Sequence, residues 1–267
     1  LLQNSPVASS PKLSIRDVTR IFGKGEEVRP AISHISLDVY PGETAMLVGP
    51  SGCGKSTLLN IIAGLDRATQ GSVQLDGKEV FGPGPDRTLV FQDGALFPWL
   101  TALGNVEFGL RQIGVNPRER RQRAMRYLFL VNLEGFENYC IHQLSGGMRQ
   151  RVAIARSLAL EPQVLLLDEP FSALDALTRE DLYGEVQELS AKLGTTIVFV
   201  THNVREAATL GDRVFLLAAN PGRLQAEFEI SCPRPRHIDD LDVIQNAHKI
   251  SEALKEGRRP LAEVSSA

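Results

Sequence analysis

The sequence predicts an α/β fold: a parallel sheet flanked by helices, an antiparallel β region ahead of it, and a helical insertion between two sheet strands. Three observations predict it. The runs Ala45–Val48, Val164–Leu167 and Thr196–Val200 are strand-sized and apolar at nearly every position, as strands covered on both faces are. Helix-length patterns separate them, and strand–helix alternation of this kind builds a parallel sheet. The opening third instead alternates apolar and polar residues with a period of two, the mark of strands with one solvated face.

In chain order, residues 1–11 are rich in Ser, Pro and Asn and are expected to be mobile. Leu13–Val18 and Ile35–Val39 read as half-solvated strands joined by a Gly23–Pro30 loop. Ala45–Val48 is the first buried strand, and Lys55–Ala63 a helix stopped by Gly64. Ser72–Leu75, Asp76-Gly77 and Lys78–Val80 read as a hairpin. Thr88–Phe91 is a further strand. Asp93–Cys140 lacks β alternation and is read as the inserted helical segment, with an arginine-rich helix over Pro117–Leu130 whose five arginines form a solvated face. Helices follow over Gly147–Leu160, before Pro162, and Ala176–Leu193, before Gly194. Val214–Leu217 is a fourth buried strand. Cys232-Pro-Arg-Pro-Arg236 reads as an extended linker. Ile238–Glu256 then reads as an amphipathic helix with Leu241, Ile244, Ala247 and Leu254 on its apolar face and Gly257 as terminator.

Composition narrows the function. Hydrophobic residues are 43% and charged residues 23% of 267, which excludes disordered and collagen-like chains. A formal charge of −3 argues against a strongly basic nucleic-acid binder, and no nucleic-acid partner is expected. Cys53, Cys140 and Cys232 are far apart with no Cys-x-x-Cys, which argues against a disulfide framework or zinc site and fits a reducing compartment. No apolar run reaches the ~18–20 residues that span a bilayer, and the first residues lack a signal-peptide pattern. Any role at a membrane is therefore expected to be that of a soluble subunit.

Gly49-Pro50-Ser51-Gly52-Cys53-Gly54-Lys55-Ser56 fits Gly-x-x-x-x-Gly-Lys-Ser/Thr between a buried strand and a helix, the context the motif requires. The glycines let the backbone curl round an anion, and loop amides at a helix N-terminus point at phosphates. Lys55 is expected to reach the β- and γ-phosphates of a nucleotide, and the Ser56 hydroxyl to bind Mg²⁺. A chance match in a glycine-rich turn is the competing reading, which the flanking elements disfavour. Val164–Leu167 ends in Asp168-Glu169-Pro170, placing two carboxylates at a strand's carboxyl end. Asp168 suits the Mg²⁺ side of such a site, and Glu169 suits orienting or deprotonating a water. An acidic turn after a strand is common, so this motif gains its weight from the first.

Leu144-Ser145-Gly146-Gly147-Met148-Arg149-Gln150 resembles the Leu-Ser-Gly-Gly-Gln signature of ABC-type ATPases, and the following Arg-Val-Ala-Ile-Ala-Arg resembles the family's next helix. The resemblance runs from about Leu13 to Ile230. It implies a P-loop NTPase fold in residues 12–230, with a helical subdomain inserted at about 93–160, and a linker and short helical tail in 231–267. It implies ATP and Mg²⁺ as cofactors, and two cassettes paired head to tail, a homodimer or a pair of paralogues. Ser145, Gly146 and Gly147 would then act on the partner's nucleotide. Gln92 resembles the glutamine that touches Mg²⁺ and water, Ser172-Ala173-Leu174-Asp175 the loop crossing the dimer interface, and His202 the switch histidine at the γ-phosphate. Phe22 stands where an aromatic residue stacks on adenine, and Thr57 closes the phosphate-loop set. Lys55, Gln92, Glu169 and His202 are thus the catalytic candidates, and Ser56, Gln92 and Asp168 the metal candidates. Met148 departs from the family's glutamine but lies beyond the phosphate-binding amides. Cys53 is read as a small loop filler, not a nucleophile.

Pro83–Arg87, Phe97-Pro98-Trp99-Leu100-Thr101, the Met-variant signature and Asn220-Pro221-Gly222-Arg223 resemble ATPases of nitrate, sulfonate, taurine and bicarbonate importers. That implies an integral-membrane permease as partner, a periplasmic or extracellular solute-binding protein acting indirectly, and a peripheral place on the cytoplasmic face of the membrane. Leu96–Leu100 would line the groove that receives the permease, with plain core packing as the competing reading. An exporter or lipid-transporter ATPase shares the catalytic motifs and stays open as the alternative.

Overall fold

The computed structural model describes residues 10–23 and 29–256. The expectations for residues 1–9, for residues 24–28 of the first loop and for Gly257 lie outside the described residues. Two sheets make the frame. An antiparallel sheet holds β1 (Leu13–Phe22), β2 (Arg29–Val39), β4 (Gln70–Leu75) and β5 (Lys78–Glu79) in the order β2-β1-β4-β5. The main sheet holds β3 (Thr44–Val48), β6 (Arg87–Val90), β7 (Val164–Asp168), β8 (Thr196–Thr201), β9 (Arg213–Ala218) and β10 (Arg223–Glu229) in the order β10-β9-β3-β8-β7-β6. Its inner pairings are parallel, and β10 closes one edge antiparallel to β9.

β3, β7 and β8 are apolar except at polar end residues because both faces are covered. Ala45, Leu47, Leu166 and Val198 point into a core shared with the antiparallel sheet and with α1 (Lys55–Ala63). Met46, Val48, Leu165, Leu167 and Phe199 point into the opposite core. The helices α2 (Ala102–Gln112), α3 (Pro117–Leu130), α4 (Gly146–Leu158), α5 (Ala176–Leu193), α6 (Val204–Leu210) and α7 (Leu241–Glu256) contribute to that second core.

β1 and β2 run longer than their clean alternation suggests. Asp17 and His34 take positive φ, 51° and 53°, and the β1–β2 register shifts there, so the period-two pattern breaks where the strands continue. β10 carries Leu224, Ala226 and Phe228 between polar neighbours, a legible alternation that the sequence reading left unassigned. On α3, Arg123 pairs with Glu161 at 2.8 Å, while Arg118 and Arg121 are exposed.

The stretch after β10 is held to the core. Arg236 is buried and donates to the carbonyls of Cys232 and Ile230 at 2.9 and 3.0 Å. Its backbone exchanges two hydrogen bonds with the Gln187 side chain, at 2.9 and 3.0 Å. α7 then packs on α6 and β9. Its buried stripe is Val243, Ala247 and Ile250, whereas Leu241 and Ile244 are exposed, so the expected apolar face is corrected by about one helical step. The 243-247-250-254 spacing keeps one line along the helix, which Leu241 and Ile244 leave. Removing the Arg236 guanidinium strands several buried carbonyls. Arg236→Ala is expected to destabilise the fold by about 2–4 kcal/mol, read as a lowered urea midpoint.

Candidate active site

The loop 49–54 leaves β3 and opens α1. Gly52 and Gly54 have φ of 78° and 86°, and a Cβ on Gly54 would meet the Ala31 carbonyl at 2.9 Å, so only glycine fits there. Gly222 supports the loop from behind, since a Cβ on it would run into the Cys53 carbonyl. Lys55 is 5% exposed, and its ammonium donates to the carbonyls of Gly49 and Pro50 at 2.9 and 3.1 Å. Cys53 is buried beneath the loop, and burial pushes its thiol up, away from the thiolate a nucleophile requires.

The parallel strands bring the other candidates to the same edge, because strands β3, β6, β7 and β8 all point their carboxyl ends that way. Asp168 ends β7 and accepts from the Ser56 hydroxyl at 3.1 Å. Burial holds its carboxyl above the ordinary aspartate range, the Ser56 bond opposes this, and the charge of Glu169 adds to it. Glu169 has left the strand at φ 42°. Its carboxylate lies 3.8 Å from the Lys55 ammonium on one oxygen and 2.8 Å from His202 Nδ1 on the other. The Ser172 hydroxyl donates to the Glu169 carbonyl at 2.9 Å and accepts from Gln92 Nε2 at 3.2 Å. Lys55, Ser56, Gln92, Asp168, Glu169 and His202 thus form one contiguous set.

Other candidates stand apart from it. Phe22 is 44% exposed at the end of β1, with the Arg20 guanidinium 4.5 Å from its ring and Arg20 paired to Asp66 at 2.8 Å. Ser145 caps α4 by accepting from Met148 N–H at 3.2 Å. Gly147 has no room for a side chain, since a Cβ would meet the Thr178 methyl at 2.6 Å. Asp175 caps α5, accepting from Thr178 N–H at 3.0 Å. Among the described residues, no hydrogen bond or ion pair joins Ser145–Gly147 to the phosphate loop.

Two supporting residues escaped the sequence reading. Asn105, fully buried on α2, holds the Phe97 N–H and C=O at 2.8 and 3.1 Å. Arg156 near the end of α4 donates to the Gly94 and Ala95 carbonyls at 2.6 and 2.7 Å. A lone asparagine in an apolar helical stripe was the available signal for the first. Nothing local marks the second. Together they hold the loop that displays Trp99, which is 75% exposed.

Residues 32–172 match the sequence family described as ABC transporter. The chain belongs to that family. The ABC ATPase is 49% identical over 246 residues, 92% of each chain, to an uncharacterised ABC transporter ATP-binding protein of Methanocaldococcus jannaschii. It is 47% identical to a taurine import ATP-binding protein of Pelagibacter ubique over 78% of each chain. It is also 47% identical to a nitrate import ATP-binding protein of Synechocystis sp. over 83% of each. Among solved structures, a dimeric ATP-binding cassette in a post-hydrolysis state with ADP and Pi superposes with a TM-score of 0.74 at 37% identity, covering 83% of this chain and all of that one. The ABC ATPase therefore has the nucleotide-hydrolysing cassette fold. No described helix is long and apolar enough to cross a membrane.

Proposed function

We propose that this chain is the ATP-hydrolysing subunit of a membrane importer for a small anionic solute of the nitrate, sulfonate, taurine or bicarbonate class. The observation that supports it most is the meeting of Lys55, Asp168, Glu169 and His202 beside the phosphate loop. Residues 12–230 form the nucleotide-binding unit, with the helical subdomain at about 93–160 and the linker and tail in 231–267.

The loop from Gly49 to Thr57 cradles the ATP phosphates with its backbone N–H groups, Pro50 contributing none, and Phe22 stacks on the adenine with its far face braced by Arg20. Lys55 exchanges its loop carbonyls for phosphate oxygens. Asp168, Ser56 and Gln92 are the oxygen donors for Mg²⁺. The hydroxyl–carboxylate pair and the raised Asp168 carboxyl fit a hard divalent ion, which when bound neutralises charge on the β- and γ-phosphates. Glu169 takes the proton of the attacking water. His202, held through Nδ1 by Glu169, keeps Nε2 for the γ-phosphate. Ser145, Gly146, Gly147 and the Asp175 loop of a second copy or paralogue complete the site. An integral-membrane permease docks against Leu96–Leu100 on the cytoplasmic face of the membrane and is fed by a solute-binding protein. Co-purification from membranes with a permease and a solute-binding protein is the expected result. Recovery with an exporter membrane protein instead overturns the importer reading.

The Asp168 charge carries a stability cost. Its folded-state pKa lies above the unfolded value, so its contribution to stability is present below the unfolded pKa and lost as pH rises through the folded one. At neutral pH the carboxylate is a burden kept for the metal. Asp168→Asn is therefore expected to raise the melting temperature while lowering ATPase activity by about a hundredfold or more, the scale of losing one charge-stabilising group. Calorimetry and phosphate release test the two halves separately.

A further inference from the structure

The end of β1 that carries Phe22 is fastened to the far end of the helix that begins at the phosphate loop. Phe22 is 44% exposed, and the Arg20 guanidinium lies against one side of its ring, 4.5 Å from the centroid. Asp66 holds Arg20 there. Arg20 Nε donates to Asp66 Oδ2 at 3.0 Å, and its Nη2 meets Asp66 Oδ1 at 2.8 Å, a two-pronged fork. Isolated surface ion pairs contribute little, but a fork of this geometry fixes the direction of the guanidinium plane. Asp66 is itself anchored. It follows the Gly64 cap of α1, and the N–H groups of Leu65 and Asp66 both donate to the Asn60 carbonyl, at 2.9 and 3.2 Å. Thr69, in the same connection, holds the strand as well. Its N–H donates to the Thr19 carbonyl at 2.7 Å, and its hydroxyl accepts from the Ile21 N–H at 3.1 Å. Thr19, Arg20 and Ile21 are thus secured in succession, immediately before Phe22.

We propose that Arg20 and Asp66 are positioning residues for the nucleobase, holding the Phe22 ring so that the side away from Arg20 meets the adenine at a set distance from the phosphate loop. This rests on the reading of Phe22 as the adenine platform. α1 acts as the spacer. Its first residue is Lys55 at the phosphate loop, and the turn after its last residue carries Asp66, so both ends of the nucleotide are referred to one helix. A guanidinium on one side of an aromatic ring is attracted to it and leaves the other side for the base. Without Arg20 the ring is free to turn about its side-chain torsions, and stacking loses a partner already in place. The contacts of Lys55 with the loop are untouched by that loss, so the effect falls on the base and not on the phosphates.

The test uses the full chain as purified. KM and kcat for ATP are measured for Phe22→Ala, Arg20→Gln and Asp66→Ala, together with the inhibition constant of inorganic tripolyphosphate, which carries the phosphates without a base. Arg20→Gln is expected to raise KM for ATP about threefold to fivefold, the scale of one exposed cation–π contact, with kcat and tripolyphosphate inhibition close to wild type. Asp66→Ala is expected to raise KM in the same way, and to add less than about 1.5-fold when combined with Arg20→Gln, because both act through one contact. On the Phe22→Ala background Arg20→Gln is likewise expected to add less than about 1.5-fold. An unchanged KM in Arg20→Gln, an equal weakening of tripolyphosphate inhibition, or the full Arg20→Gln loss reappearing on the Phe22→Ala background overturns the proposal. If Phe22→Ala itself keeps the wild-type KM, the adenine reading fails first. A wild-type melting temperature in each variant separates these outcomes from misfolding.

Discussion

Glu169→Gln is expected to stop ATP turnover while leaving ATP binding in place. The substitution keeps the shape of the side chain and removes its proton-accepting charge. Lys55 loses the carboxylate 3.8 Å away but keeps its two loop carbonyls, so the phosphate loop stays formed. What disappears is the acceptor for the proton of the attacking water, and general bases of this kind contribute about 10²–10⁴-fold. A fall in kcat of at least about a hundredfold corresponds to ~2.7 kcal/mol of barrier. With hydrolysis blocked, ATP is expected to hold two subunits together. Gel filtration with ATP should show a stable dimer for this variant, and only transient dimers for the wild type. Near-normal turnover in Glu169→Gln would remove this residue from the chemistry.

Lys55→Ala has the second large effect, and it falls on affinity. Lys55 is a buried cation at the phosphate loop. Its ammonium already lies where backbone carbonyls gather, and a charge-assisted bond to phosphate in that screened place is worth more than at the surface. The alanine variant is expected to bind ATP about a hundredfold more weakly, ~2.7 kcal/mol by titration calorimetry. Hydrolysis should fall further than binding, because the same charge also meets the developing negative charge in the transition state. Unchanged affinity in a folded Lys55→Ala protein would relocate the nucleotide.

The inner strands of the main sheet were legible because they carry their own signature. Continuous apolar runs such as Val164–Leu167 need two covered faces, and a strand buried twice over is seldom anything but the middle of a parallel sheet. Motifs at the carboxyl ends of those strands were legible for the same reason. Once Gly49, Gln92, Asp168 and His202 each follow a predicted strand, parallel topology brings them to one edge. What stayed hidden depends on partners far along the chain. Arg156 meets Gly94 and Ala95 only after the insertion folds back. The grip of Arg236 on Gln187 turns a proline–arginine stretch that reads as extended into an anchored one. The α7 stripe was misread because two lines of apolar residues compete on that helix, and the core selected Val243, Ala247 and Ile250.

α4 has an unusual pair of ends. Its first turn is the Ser145–Gly147 cap, and Arg156 near its last turn clasps the carbonyls of Gly94 and Ala95. Between them lie about three turns of regular helix, roughly 15–20 Å of stiff rod. Such a rod cannot be tugged at one end without hauling the other. A nucleotide gripped across the subunit boundary would thereby shift the segment bearing Trp99 mechanically, with no intermediate signal to be relayed.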